Sequence, residues 1–347
     1  LPSGGAEKGV DSKQEKFYLA GNWGGTYNTT TDGNRIFKFI HNVVKRLRDL
    51  GHVVSIIDSE TNYGVIPQIE LNDLINLRQA KIGDAYRYYT DICDVKAVEK
   101  AFNIEQPEIV IHLASFPRQK VVANDPVDGS NVMTGGLLNL LQLSDRYEVR
   151  KFVYISSSMV YGDFKDNTTE DAPCNPQGVY GILKYTGELL VRDYSVRTPM
   201  THTIIRPSAV YGELDVMDRV VAQFLLHAMR NEELNVNGAT EALDFTYVDD
   251  IADGIVGAAL SDNTDNKTYN ITRGKRRTLL DAANLAIKIA GGGSINLQDK
   301  SFDFPSRGML NIDKARNDFG YDPKTDIEVG FQRYYDWLKN ENTISRS

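Results

Sequence analysis

Cysteine is nearly absent from these 347 residues: Cys93 and Cys174 are the only two, which excludes a disulfide framework and the paired spacings of a thiolate metal site. Long apolar runs are missing as well. No stretch approaches the about 18 residues of a membrane-spanning helix, and the first residues lack the basic-then-apolar order of a signal sequence. Positive charge is short, 39 Lys and Arg against 47 Asp and Glu for a net −8, which suits neither nucleic acid nor an anionic membrane surface. The expectation is a soluble protein of a reducing, cytoplasmic compartment, in which the glycosylation-like triplets at Asn28 and Asn270 are chance matches. A chain of this length that is 41% hydrophobic can bury a large core, as one big α/β unit or two closely joined domains.

What is present is organised around Lys151 to Lys184. Residues Lys151 to Ile155 (KFVYI) read as a short buried strand, rich in β-branched and aromatic side chains and stopped by hydroxyls. Ser156, Ser157 and Ser158 then stand at its C-terminal end, the edge of an open parallel sheet where ligands bind. Asp171, Pro173, Asn175, Pro176 and Gly178 form a loop, and helical spacing begins at Val179, placing Tyr180 and Lys184 on one face. A free phenol titrates near ~10 and is a poor base at neutral pH, but an ammonium within about 4–6 Å favours the phenolate. Tyr180 would then act as general base with a serine hydroxyl steadying the substrate oxygen. Alone, Tyr-x-x-x-Lys suits a mere helix face; its place one loop after the serine cluster favours chemistry.

Four stretches in order carry a resemblance: Ile111-His112-Leu113-Ala114, Ser156 to Gly162 followed by Tyr180-x-x-x-Lys184, Arg206-Pro207-Ser208-Ala209-Val210-Tyr211-Gly212, and Asp244-Phe245-Thr246-Tyr247-Val248-Asp249-Asp250. Together they resemble the extended short-chain dehydrogenase/reductase family, in its nucleotide-sugar epimerase and dehydratase branch, over nearly all of residues 16 to 340. The resemblance implies a Rossmann-type doubly wound parallel sheet, with a smaller C-terminal α/β domain for the substrate. It implies NAD as cofactor and Ser157, Tyr180 and Lys184 as catalytic residues, with Lys184 holding the nicotinamide ribose and lowering the Tyr180 pKa. It also implies a homodimer, formed through a four-helix bundle of the helix over Asp125 to Tyr147 and the one carrying Tyr180, although those apolar faces equally suit the core.

In chain order, residues 1 to 15 have no apolar period and are expected to be a disordered leader. Residues 16 to 206 make the NAD-binding part. Lys16 to Ala20 is the first strand, and Gly21, Gly24 and Gly25 allow the tight turn that brings pyrophosphate to a helix N-terminus. Here the chain departs from the family pattern, for Thr26 to Asn34 (TYNTTTDGN) intervenes before the helix Arg35 to Leu50. Either this insertion lengthens the loop and supplies its own donors, or the pyrophosphate site is impaired. Asp58 ends the second strand, Val53 to Asp58; a carboxylate there accepts both ribose hydroxyls and repels a 2′-phosphate, favouring NAD over NADP. After a helical stretch within Glu60 to Asp84, the third strand is expected over Tyr86 to Ile92. Asp91 and Ile92 match the pair that borders the adenine, and Leu113 and Ala114, after the fourth strand, the turn under the cofactor. His112 reads as a structural histidine. Lys120 is a candidate phosphate contact or a solvated loop lysine.

Residues 207 to 340 are expected to be mainly the substrate domain, with residues around 244 to 270 returning to the first domain and 341 to 347 a tail. Arg219 and Arg307 match positions suited to a nucleotide diphosphate, though each also suits a surface ion pair. Ala209 and Leu243 stand where many UDP-sugar epimerases carry asparagine and arginine, so the donor is held differently or is not a UDP-sugar. Ser158 and Met159 replace the acidic pair that dehydratases place after the catalytic hydroxyl. The reading is an NAD-dependent nucleotide-sugar epimerase. A keto-sugar reductase, or a catalytically impaired binding or assembly module on the same fold, are the alternatives.

Overall fold

The structure, a computed structural model, describes residues 14–20, 40–59, 68–116, 119–215, 217–300 and 305–340, and leaves out the side chains of residues 68–71 and 120. The leader to residue 13, Gly21, Gly24, Gly25, the Thr26 to Asn34 insertion and the tail lie outside the described residues.

Seven strands form one parallel sheet: β1 (Lys16–Ala20), β2 (Val53–Asp58), β3 (Tyr86–Tyr89), β4 (Ile109–His112), β5 (Lys151–Ile155), β6 (Thr201–Pro207) and, later in the chain, β11 (Lys267–Ile271). Their order is β11-β6-β5-β4-β1-β2-β3, and every neighbouring pair runs parallel. The expected Rossmann-type sheet is therefore present. The central strands β4 (IVIH) and β5 (KFVYI) are buried along their whole length, because helices cover both faces, and such strands read as continuous apolar runs. Strand order reverses between β1 and β4, which opens a crevice at their C-terminal ends. Both ends are tied there, since the Leu113 and Ala114 amides donate to the Ala20 carbonyl at 2.9 and 2.8 Å.

Six short strands build the region outside the sheet: β7 (Val210–Tyr211), β8 (Glu233–Asn237), β9 (Ala242–Asp244), β10 (Thr246–Tyr247), β12 (Arg276–Thr278) and β13 (Ser294–Gln298). They pair two by two, β10 with β7, β12 with β9 and β13 with β8. The Asp244-to-Asp250 motif proves architectural. Buried Asp244 accepts from the Gly274 amide (3.0 Å), the Leu310 amide (3.2 Å) and the Thr272 hydroxyl (2.8 Å). Asp250 likewise accepts from the Lys324 and Thr325 amides at 3.0 and 2.9 Å.

Two expectations need correction. The third strand ends at Tyr89, three residues before Ile92, because the Asp91 carboxylate accepts the Cys93 amide at 2.8 Å and turns the chain toward the helix Val95–Glu105. The helix expected over Asp125 to Tyr147 is composite. Gln119–Asn124 precedes it, Asp125 and Pro126 start a new turn, and a π-helical segment, Asn131–Gly136, leads into Leu137–Arg146. A Cβ on Gly136 would lie 2.5 Å from the Ile92 side chain, so only glycine lets this segment approach the end of the Asp91-Ile92 turn.

Candidate active site

The site grows from the end of β5. Ser157 adopts extended geometry and its Oγ accepts the Met159 amide at 3.2 Å, capping a single 3₁₀ turn, Ser158–Tyr161. Gly162 closes that turn at φ +70°, where a Cβ would strike the Asn175 carbonyl oxygen at 2.1 Å. After the loop comes the helix Gly178–Arg197, which lies tight on β5. A Cβ on its Gly187 would meet the Tyr154 hydroxyl at 2.1 Å. That closeness carries the helix's inner stripe to the strand end.

On this stripe Tyr180 and Lys184 sit one turn apart, with the Lys184 Nζ 6.0 Å from the centre of the Tyr180 ring. The Ser157 and Ser115 side chains stand near enough to the Tyr180 phenol to act on its pKa. Lys184 is 1% exposed. Its ammonium donates to the Ile155 carbonyl at 2.7 Å and lies 5.3 Å over the Tyr154 ring. Burial pulls its pKa down to about 7, against the Glu188 carboxylate. Burial also raises the Tyr180 phenol above its ordinary value, opposed by the Arg219 charge and by the two serine hydroxyls. The resemblance implied that Lys184 lowers the Tyr180 pKa; the Arg219 guanidinium is a second cation acting on the phenol in the same direction. His112, stacked on Tyr154 at 5.7 Å, is pushed down to about 3 by burial and the Lys184 charge. It is a neutral structural group, in line with its reading from sequence.

The crevice at the β1–β4 reversal has at its edge the acidic residue that an NAD ribose calls for. Asp58 is buried at the end of β2, with its backbone carbonyl taken by the Thr90 amide at 3.1 Å. It faces Arg78 of the helix Gln68–Ile82, whose guanidinium donates to the Leu214 carbonyl and also faces Asp215. Ile92 is buried, and its carbonyl accepts the Asn139 amide at 3.0 Å. Asp58, Ile92, Leu113, Ala114 and Lys184 thus line the C-terminal edge around the β1–β4 reversal, whereas Asp91 shapes the turn.

Of the remaining candidates, Arg219 immediately precedes the helix Val220–Met229 and reaches the phenol's surroundings. Arg307 lines a cavity of about 300 Å³ together with Phe164, Lys165, Asp166, Glu241 and Arg276. Burial lowers its pKa to about 10, against Glu241. Lys120 falls on the helix Gln119–Asn124, its side chain outside the described residues.

Sequence reasoning assigned no role of their own to Ser115, Glu188 and Arg276, which the structure brings near the phenol, to the Ser156 hydroxyl and to the cavity. Ser115 follows the fourth strand's motif, so listing every hydroxyl at a strand's C-terminal end would have found it. Glu188 stands four residues after Lys184, one more step along the same stripe. Arg276 had no signal, since only the pairing of β12 with β9 brings it to the cavity. The two departures from the family pattern also acquire a setting: Ala209 has φ +35°, and Leu243 is buried opposite Arg277 in that ladder.

The sequence model of the NAD dependent epimerase/dehydratase family matches residues 41–272. A putative UDP-glucose 4-epimerase of Methanocaldococcus jannaschii is 28% identical over 295 residues, covering 82% of this chain and 93% of that protein. The solved UDP-glucose 4-epimerase of Thermotoga maritima with UDP-glucose superposes with a TM-score of 0.80 at 24% identity, over 94% of this chain and 99% of that one. The UDP-glucuronic acid 4-epimerase of Bacillus cereus, solved with UDP-glucuronic acid and NAD, gives 0.81 at 23% identity, again over 94% and 99%.

Proposed function

Because this chain belongs to the NAD dependent epimerase/dehydratase family, we propose that it epimerises a nucleotide-diphosphate sugar at one carbinol carbon, with Tyr180, Ser157 and Lys184 as its proton-handling residues. The observation that carries this reading is the placing of the Tyr180 ring 6.0 Å from the Lys184 ammonium on one helical stripe, with the Ser157 and Ser115 side chains near enough to the phenol to act on its pKa. NAD, when bound, supplies the hydride acceptor and donor. The Tyr180 oxygen takes the proton of the sugar hydroxyl as that carbinol becomes a ketone, and returns it when the carbinol is rebuilt with the opposite hand. Ser157 donates to the reacting oxygen. Lys184, Asp58, Ile92, Leu113 and Ala114 would orient the dinucleotide, and Gly21, Gly24 and Gly25 are the residues that would hold its pyrophosphate. Elimination of water has no support, since Ser158 and Met159 are both buried beside Ser157 and neither is an acid.

The donor's diphosphate is met by Arg219 and Arg307, cations of the kind two phosphates need, with Lys120 as a third contact. Relatives named for UDP-glucose and UDP-glucuronate make these two sugars the first to test. The protein acts as a homodimer. Ile182, Leu189 and Val196, seven residues apart on one helix, are 48%, 50% and 86% exposed, and Val127 is 70% exposed. Such an apolar stripe on a helix surface suits a partner helix. The two free thiols, Cys93 and Cys174, suit a reducing, cytoplasmic setting.

The test is incubation of the purified protein with UDP-glucose, UDP-glucuronate and their dTDP-, GDP- and CDP-linked counterparts, with products resolved by chromatography. Interconversion of one sugar pair without net consumption of NAD is expected. Net oxidation of the sugar, loss of water, or no turnover across the panel would each overturn the reading.

A further inference from the structure

The stripe that carries Tyr180 and Lys184 continues to Glu188, and the three residues engage three consecutive positions at the end of β5. Tyr180 has the Ser157 side chain near enough to act on its phenol. Lys184 meets the Ile155 carbonyl at 2.7 Å. Glu188, fully buried, takes the hydroxyl of the residue between them, Ser156 Oγ donating to Glu188 Oε1 at 2.6 Å. The Ser156 amide is held from the other side by the Ile205 carbonyl at 2.7 Å. The carboxylate itself is immobilised by a fork, Arg206 Nε to Oε1 at 2.9 Å and Nη2 to Oε2 at 2.7 Å, with Arg192 Nη2 on Oε2 at 2.9 Å. A planar guanidinium gripping both oxygens fixes orientation as well as charge.

We propose that Glu188 is a positioning residue for the reaction: it pins Ser156, so that the Ile155 carbonyl meets Lys184 while the Ser157 side chain stands near the Tyr180 phenol, and it is the carboxylate facing the Lys184 ammonium. This rests on the proton-transfer reading of the site. The other titratable groups around Lys184 are Tyr180 on its own helix, Tyr154 on β5 and His112 on β4. None of these is a carboxylate. Around Glu188 stand Arg206, Arg192, Tyr154, Cys174 and His202. A misplacement of about 1 Å at a reacting group can cost on the order of 100-fold in rate.

Three variants separate the two parts of the proposal, read by kcat and KM on the UDP-sugar that the wild type turns over, and by the pH titration of Lys184 in protein labelled with 13Cε-lysine, assigned through Lys184→Arg. Glu188→Gln is expected to lower kcat about 10- to 100-fold with little change in KM. Its Lys184 titration and the alkaline limb of kcat move to lower pH. Glu188→Asp keeps the charge, so the titration returns toward the wild-type position while kcat stays low, the shorter side chain missing Ser156. Ser156→Ala lowers kcat and leaves the titration in place. An unmoved Lys184 titration in folded Glu188→Gln, or wild-type kcat in Ser156→Ala, overturns the proposal. If Glu188→Gln does not fold, Glu188→Asp and Ser156→Ala decide, and full kcat in both refutes it. Should the wild type turn over no sugar, the function fails while the lysine titration still judges Glu188.

Discussion

Lys184 gives its ammonium to the carbonyl of Ile155 at 2.7 Å, on the strand that also presents the serine to Tyr180. The lysine is thus anchored to the protein and reaches the chemistry through charge and orientation. Its pKa falls from 10.5 to about 7 because the folded chain buries the charge. The unfolded state therefore binds more protons between about 7 and 10.5, and stability rises with pH across that window. Lys184→Met, which removes the buried charge, is expected to raise the melting temperature at neutral pH and to abolish turnover. The gain should shrink as pH climbs through the window, and calorimetry over pH checks it.

Tyr180→Phe should leave fold and NAD binding intact and reduce turnover by at least about 1,000-fold, since general acid–base catalysis alone is worth about 100- to 10,000-fold. Ser115→Ala should lower kcat more modestly. Because the lost hydroxyl was pulling the phenol's pKa down, the acid limb of the kcat profile should move to higher pH. Steady-state pH profiles of both variants are the measurement. Undiminished turnover in Tyr180→Phe would remove the phenol from the reaction.

Asp244 titrates in the opposite sense to most carboxylates. Burial outweighs its cradle of four donors and raises its pKa from 3.8 to about 6. A raised folded pKa means the folded state holds the proton more tightly, so this contribution is fully present below about 3.8 and is lost as pH rises through about 6. Asp244→Asn cannot titrate. The stability of wild type minus variant, from denaturant unfolding, should therefore decrease between mildly acidic and neutral pH.

Ala209 is held at φ +35°, a left-handed geometry that costs a residue with a Cβ about 1–2 kcal/mol. Ala209→Gly should stabilise by about 1 kcal/mol through relief of that strain. Ala209→Asn, a residue that adopts this geometry more readily, should follow it in direction. Both are read from the denaturation midpoint, and an unchanged or lowered midpoint would count against strain at this position.

Leu189→Glu places a charge in the middle of the exposed stripe formed with Ile182 and Val196. It should convert a dimer into a monomer by light scattering, with the far-UV signature of the fold unchanged. A wild type already monomeric at working concentration would refute that use of the stripe.

Local chemistry determined much of this protein in advance. Runs such as KFVYI and VVSIID announce buried parallel strands because both faces are covered, and Tyr180 and Lys184 share a face by the helical repeat alone. The strand-end serines, the acid at Asp58 and the order of the motifs are likewise legible, since each depends on residues near one another in the chain. The tertiary structure decided what depends on distant segments. That a second cation acts on the Tyr180 phenol was settled by where the loop before the helix Val220–Met229 arrives, and Ser115 came near the phenol because β4 lies beside β5 in the sheet. Glu188 is clasped by Arg206 only because β6 flanks β5. Burial, which moved Lys184 toward neutrality and Asp244 toward protonation, belongs to no residue by itself: it is the exclusion of water by packed neighbours, and charge pays its desolvation cost only once they have closed around it.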